Sequence, residues 1–236
     1  MAEIEPIAMP GTHERFLKFF NGFSFDKKLK ILDVGAGHGA FTKRLFDLGY
    51  NVSACDLFPE IFRFEKIECK KADLTKELPY PDNTFDLAIA VEVSEHIIDH
   101  ETFFRELSRI LKPGGLLLLS TPNILSLKSR VRFLFRGFSY SFGPLDHANH
   151  DGLQHVASLT LDQYNYVAVK NGFQEATFDI DRKQSSSTWL LIFLFPFIWL
   201  NNIIKKAPLH HNKTKLLLGR ILFLQYANSK VNSEKV

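Results

Sequence analysis

From Lys30 onward the chain alternates short, continuous apolar runs with stretches whose apolar residues recur every three or four positions. The first kind reads as buried strand, the second as amphipathic helix. Lys30–Gly35 is an apolar run ending in glycine, a buried strand. Ala40–Leu48 has helical spacing, with Phe41, Leu45 and Leu48 on one face and Gly49 as the stop. Asn51–Asp56 and Ile67–Ala72 read as the second and third strands, and Phe85–Val91 as the fourth. Glu101–Leu111 is helical, with Phe104, Leu107, Leu111 and in part Phe103 inward. Lys112–Gly115 is a turn and Leu116–Ser120 a fifth strand. Strands without alternation, each followed by a helix, predict an α/β fold with a parallel sheet covered on both faces. Met1–Asp26 is a lead-in, with Thr12 as N-cap of a helix over His13–Phe20.

The pattern changes after Pro122. Ile124–Phe138 reads as a helix on which Lys128, Arg132 and Arg136 recur every four residues, while Val131, Leu134, Phe135 and Phe138 face elsewhere. Gly137–Leu153 is loop-like, with His147, His150 and His155 close by. A helix over Thr160–Asn171, a strand over Phe173–Asp181 and a last strand over Arg220–Ala227 follow. Between those strands lies an apolar helix, about 188–206, in which Trp189–Leu200 carries no charge and Lys205 and Lys206 come after it. A spanning helix needs roughly 20 apolar residues. This run is shorter and contains Pro196, so it is expected as core, as a lid, or as a peripheral contact with an anionic membrane surface.

Composition narrows the class. The chain has 236 residues, 45% of them hydrophobic and 23% charged, which gives ample length for a core and argues against disorder. A formal charge of +3 is too mild to favour nucleic acid by bulk electrostatics. Two cysteines, Cys55 and Cys69, exclude a disulfide scaffold and a cysteine-rich zinc module. Met1–Lys30 shows no basic segment followed by an apolar run, so the expectation is a cytoplasmic protein, peripheral at the inner membrane surface if the apolar helix seats there.

The first strand runs into Asp33-Val34-Gly35-Ala36-Gly37-His38-Gly39. Glycines at alternate positions let a strand-to-helix turn bring bare backbone N–H groups up to a ligand. Asp56, at the tip of the second strand, is placed to accept the two hydroxyls of a ribose. Together they point to a bound nucleoside. Gly35, Gly37 and Ala40 also satisfy the dinucleotide pattern, but Asp33 at the loop's start would repel a pyrophosphate and suits an ammonium group.

Further landmarks carry a family resemblance. Ile31–Leu45 resembles the first motif of class I S-adenosylmethionine-dependent methyltransferases, Cys55-Asp56-Leu57 their ribose acid, and Lys71–Leu74 their adenine segment. Phe85–Glu92 resembles their fourth strand, and Arg109–Gly115 followed by Leu116–Asn123 their fifth. The resemblance covers Lys30–Asn123 strongly and the sixth- and seventh-strand positions loosely. It implies a Rossmann-like, seven-stranded, mostly parallel sheet with the last strand antiparallel and helical cap insertions. Residues 1–236 would form a single methyltransferase domain, with a cofactor core at about 28–125 and a substrate-side cap at about 124–172. It also implies that Asp33 and the Gly35, Ala36, Gly37 and Gly39 backbone hold the methionine end of S-adenosylmethionine. Asp56 and Leu57 would meet the ribose, Asp73 and Leu74 the adenine, and Val91 and Glu92 would lie beneath the sulfonium. A nicotinamide-dependent oxidoreductase does not fit the Asp73 and Lys112–Gly115 landmarks.

Past the fourth strand comes Glu92-Val93-Ser94-Glu95-His96. If Glu92 opens a helical turn, Glu95 and His96 share its face. Glu92, Glu95 and His96, with a fourth ligand from His155 or from His147 or His150, would then suit a divalent ion such as Mg²⁺. The spacing resembles that of ubiquinone-pathway O-methyltransferases and of small-RNA terminal 2′-O-methyltransferases, where it implies a metal. Two other readings stand beside it: His96 as a general base oriented by Glu95, and both residues as helix caps. Ser120–Asn123 followed by Ser129–Phe133 is similar to methyltransferases of bacterial glycan and lipid-linked sugar assembly. The expected function is O-methylation of a hydroxylated small-molecule, sugar or lipid-linked acceptor. The alternatives are an RNA 2′-O-methyltransferase, which the basic helix favours, and a non-catalytic cofactor-binding module of the same fold.

Overall fold

In the computed structural model, residues 4–205 and 210–230 are described. Seven strands form one sheet: β1 Lys30–Val34, β2 Asn51–Asp56, β3 Cys69–Lys71, β4 Phe85–Val91, β5 Leu111–Pro122, β6 Thr177–Ile180 and β7 Ile221–Ala227. Their order is β3-β2-β1-β4-β5-β7-β6. All pairs are parallel except those of β7, which runs antiparallel to β5 and β6. The expected mostly parallel sheet with an antiparallel last strand is therefore present.

The lack of alternation in the strands follows from helices on both faces. Neighbouring β1 residues go to opposite cores: Leu32 packs with Ala88, Leu117, Phe103 and Phe104 on one side, and Ile31 with Leu87, Leu118, Phe41 and Phe16 on the other. The second core is closed by α1 (Thr12–Asn21) and α2 (Ala40–Asp47), which bury Phe16, Phe20, Phe41 and Leu45. The first is closed by α3 (His100–Ile110) and α5 (Leu161–Lys170). Asp99 caps α3 by accepting from Thr102 N at 3.0 Å, and Thr160 and Gln163 form a reciprocal capping box on α5.

Several boundaries differ from the sequence reading. β5 begins at Leu111 because the Lys112–Gly115 turn is itself paired: Gly114 N donates to Asn228 O and Asn228 N to Gly115 O. The third and sixth strands are shorter than expected, as edge strands with one partner each. Thr12 is the first residue of α1 and not its cap, because Gly11 in a left-handed conformation ends the lead-in. Leu48 falls beyond α2 and is exposed.

Two further helices stand off the sheet. α4, Leu127–Arg136, buries only Leu127 and Ser129, and α6, Ser185–Lys205, packs against it and against the short α7, Thr214–Leu218. Of the apolar positions set apart from the basic stripe, Leu134, Phe135 and Phe138 are exposed and Val131 is half-buried. The expected end of the apolar helix at Lys206 lies outside the described residues. No helix among the described residues is long and apolar enough to cross a membrane.

Candidate active site

The carboxyl ends of β1 and β4 lie side by side, where the strand order reverses, and open sheets of this kind bind ligands in that crevice. A cavity of about 940 Å³ occupies it. Its floor is the turn Gly35-Ala36-Gly37, and one wall carries Asp56, Leu57, Asp73 and Leu74. The far wall carries Val91, Glu92, Val93, His96 and His155. Most of the residues expected to bind a nucleoside are thus gathered around one space.

Backbone conformation explains the glycines. Gly35 has φ 67°, and a Cβ there would fall 2.7 Å from the Val93 side chain, so the floor tolerates no side chain. Asp56 braces this turn: Oδ2 accepts from Gly37 N at 2.8 Å and Oδ1 from Phe58 N at 2.9 Å. Asp73 caps its own loop, with Oδ1 accepting from Thr75 N and Oγ1 and Oδ2 paired to Lys76 at 3.0 Å. These bonds hold its carboxyl below the usual range. Asp33 sits one layer behind the floor, where its Oδ2 accepts from Thr42 Oγ1 at 2.5 Å. Burial pushes its carboxyl up to about 7, and the nearby Asp56 adds to this.

The Glu92–His96 stretch is not the helical turn the spacing suggested. Glu92 adopts φ 56°, and only Ser94–His96 makes one tight turn. Glu92 consequently leaves the common face. Its N–H donates to Ser120 Oγ at 3.0 Å, and that hydroxyl donates back to Glu92 Oε1 at 2.9 Å. Burial pushes the Glu92 carboxyl up to about 7, against the pull of Arg220. The cluster that does form is Glu95, His96 and His155, with one ligand-capable atom of each within 4.8 Å of the others. Both Glu95 carboxyl oxygens are buried and have no hydrogen-bond partner among the described residues. Burial, then the charge of Glu92, raises the Glu95 carboxyl well above its ordinary value.

His96 is held by a single bond that decides its tautomer. Its Nδ1 lies 3.0 Å from the Gln154 carbonyl, which can only accept. Nδ1 therefore carries the proton, and Nε2 keeps its lone pair. Burial lowers the imidazole's pKa, so the ring is neutral near pH 7. The His155 ring meets it edge-on at 4.8 Å and is itself backed by Phe142 at 5.4 Å. Tyr164 of α5 supports the turn from below through Ser94 Oγ and Thr121 Oγ1, at 2.9 and 3.1 Å.

The comparisons with known proteins bear on this geometry. Residues 32–119 match the family model described as a methyltransferase domain. A ubiquinone biosynthesis O-methyltransferase of Pelagibacter ubique is 31% identical over 178 residues, covering 70% of this chain and 73% of that protein. The chain belongs to the class I S-adenosylmethionine-dependent methyltransferases. The human mitochondrial ubiquinone biosynthesis O-methyltransferase is 34% identical over 161 residues, or 63% of this chain, and the match spans 42% of that longer protein. Among solved structures, an S-adenosylmethionine-dependent methyltransferase of Archaeoglobus fulgidus shares the fold at a TM-score of 0.61, with 15% identity over 90% of this chain and 94% of that one.

The cavity of this methyltransferase has a side-chain-free floor at Gly35 and the carboxylates of Asp56 and Asp73 on one wall. Part of the wall was not legible in the sequence. Pro6, Ile7, Ala8, Met9 and His13 close the cavity from the lead-in segment. That strap is tied down by the His38 ring on Glu5 O at 3.0 Å and by Arg220, whose guanidinium reaches Met9 Sδ and Thr12 Oγ1. Asp181, its side chain fully buried, anchors Arg220 from β6's end. The Pro10-Gly11 pair before α1 was the only sequence signal of a shaped entry there.

Proposed function

We propose that this chain transfers a methyl group from S-adenosylmethionine to the hydroxyl oxygen of a hydroxylated small-molecule, sugar or lipid-linked acceptor, with His96 as the general base. Bound at the Gly35–Gly39 turn, the cofactor supplies an electrophilic methyl group. The acceptor oxygen forms the new C–O bond, its proton passes to His96 Nε2, and the S–C bonding pair stays with sulfur. Proximity and alignment in the cavity contribute most of the rate, and proton removal the rest. The observation that carries the reading is the Nδ1–H bond to Gln154 O, which leaves Nε2 of a neutral ring that lines the cavity free to accept. Asp56 and Leu57 are the residues for the cofactor's ribose, and Asp73 and Leu74 for its adenine, while Asp33, behind the floor, braces the turn through Thr42 and does not line the cavity. Relatives named as ubiquinone biosynthesis O-methyltransferases support oxygen as the methylated atom.

A second reading rests on Glu95. A buried carboxyl with two partnerless oxygens beside His96 and His155 is the donor set of a divalent ion such as Mg²⁺. There the ion would be held by Glu95, His96 and His155 and would lower the pKa of an acceptor hydroxyl. A peripheral contact with a membrane through residues 189–206 belongs to the same proposal for a lipid-linked acceptor, since Trp189, Phe193, Phe195, Phe197 and Trp199 of that stretch are exposed.

Transfer of a labelled methyl group to catechols, sugars and lipid-linked sugars tests the base. His96→Ala should lower turnover by a factor of about 10² or more while S-adenosylhomocysteine still binds. The acid limb of wild-type turnover should fall at a pH below 6.5, because burial lowers the His96 pKa from that value. Full turnover in His96→Ala would end the proposal. Loss of wild-type turnover in EDTA, with recovery in Mg²⁺, would favour the metal over the bare base.

A further inference from the structure

α6 is held to the protein along one narrow stripe. Ser187 is buried, and Leu190, Leu191, Leu194 and Ile198 are partly covered, all at helical spacing. The remaining faces should be polar if water were their surroundings. They carry Trp189 at 64% exposure, Phe193 at 70% and Phe197 at 69%, with Ile192, Phe195, Trp199, Leu200, Ile203 and Ile204 also exposed. α4, packed beside it, adds Phe133, Leu134 and Phe135 at 58%, 77% and 79% exposure. The two helices meet at their first turns, where Lys128 N donates to Ser187 Oγ. An apolar surface of this extent marks a binding site, not ordinary surface.

The charges around it say for what. No Asp or Glu occurs from Leu107 to Leu145 or from Arg182 to Ser233, so neither helix bears an acid. Arg136 at the end of α4 and Arg182 and Lys183 just before α6 are exposed. An indole-bearing apolar face on two acid-free helices, flanked by Arg136, Arg182 and Lys183, complements an anionic bilayer surface. α6 cannot be surrounded by lipid, because its inner stripe is spent on α4 and α7, so it lies flat.

α4 also leads into the acceptor side of the cavity. The chain leaving its C-terminus supplies Ser141, His150, Asp151, Gly152, Leu153 and His155 to the cavity wall. Arg132 of α4 donates to Phe142 O at 3.1 Å, and Phe142 backs His155. We propose that α4 and α6 form one lipid-seated platform that holds this wall at the headgroup level of an anionic membrane, so that the acceptor is an amphiphile entering from the bilayer. The inference rests on the membrane contact of the preceding section and adds α4 and the acceptor route to it.

Flotation of the full chain with phosphatidylglycerol-containing and pure phosphatidylcholine vesicles tests it. Wild type should float with the anionic vesicles, with a blue shift in the emission of Trp189 and Trp199. Phe133→Ser/Leu134→Ser/Phe135→Ser and Phe193→Ser/Phe197→Ser should each lower partitioning by about a hundredfold or more. Arg136→Glu should lower it about tenfold on anionic vesicles only. A thermal shift with S-adenosylhomocysteine reports that each variant is folded. If the α4 variant floats like wild type while the α6 variant does not, the two-helix platform is overturned and the contact through 189–206 stands. If wild type floats with neither vesicle, both fall. A wild-type dimer that the same variants dissociate, without vesicle binding, would make a second copy the occupant and overturn the membrane proposal.

Discussion

Asp33 is the residue whose chemistry differs most from what its letter suggests. An aspartate ending a first strand reads as a charged ligand, yet it lies behind the cavity floor, bonded to Thr42 and pushed up to about 7 by burial. The stability its neutral form contributes is complete below its ordinary value of 3.8 and is lost as pH rises through about 7. Without ligand, the melting temperature of wild type relative to Asp33→Asn should therefore fall from pH 4 to pH 7. A difference that stays constant, or grows in wild type's favour, would show that Asp33 is ionised in the free protein. Residues contiguous in sequence, such as Gly35, Gly37 and His96, were legible because their spacing carries the signal. The Gln154 carbonyl that sets the His96 tautomer was not, because it stands 58 residues away. Glu92 was misplaced because its left-handed backbone is one that a non-glycine residue seldom adopts, and spacing rules assume the usual one.

At the level of elements, the sequence reading located every central strand. Fully buried strands are continuous apolar runs, and β1, β4 and β5 have both faces covered. Edge strands were less clear: β3 is only Cys69-Lys70-Lys71, half solvated, with no pattern to read. Local context also decides what a glycine costs to replace. Gly39 and Gly49 both have φ 83° and flank α2, but a Cβ on Gly39 would sit 2.6 Å from the Phe62 ring, whereas Gly49 faces open space. Gly49→Ala should cost about 1–2 kcal/mol, the left-handed backbone alone. Gly39→Ala should cost clearly more in denaturant unfolding, and should weaken cofactor binding because the turn must shift. Equal losses would mean that Phe62 moves aside freely.

At the scale of the whole molecule, acidic strand tips gather at one end of the sheet, and an acid-free pair of apolar helices stands off it. The sequence made the nucleoside end legible because its signals are local motifs in a fixed order. The apolar helix was legible as a helix but its surroundings were not, since an uncharged run reads the same in a core, a lid or a membrane face. Its exposure became visible only when α4 and the narrow packed stripe were in place. The cavity at the reversal between β1 and β4 is the centre of the account, and the cofactor tests it without knowledge of the acceptor. Calorimetric titration of the intact chain with S-adenosylhomocysteine should show saturable binding at one site, and Asp56→Ala, folded by circular dichroism, should lose most of it. Absence of heat and of any thermal stabilisation at saturating ligand, in a folded wild type, would contradict the account.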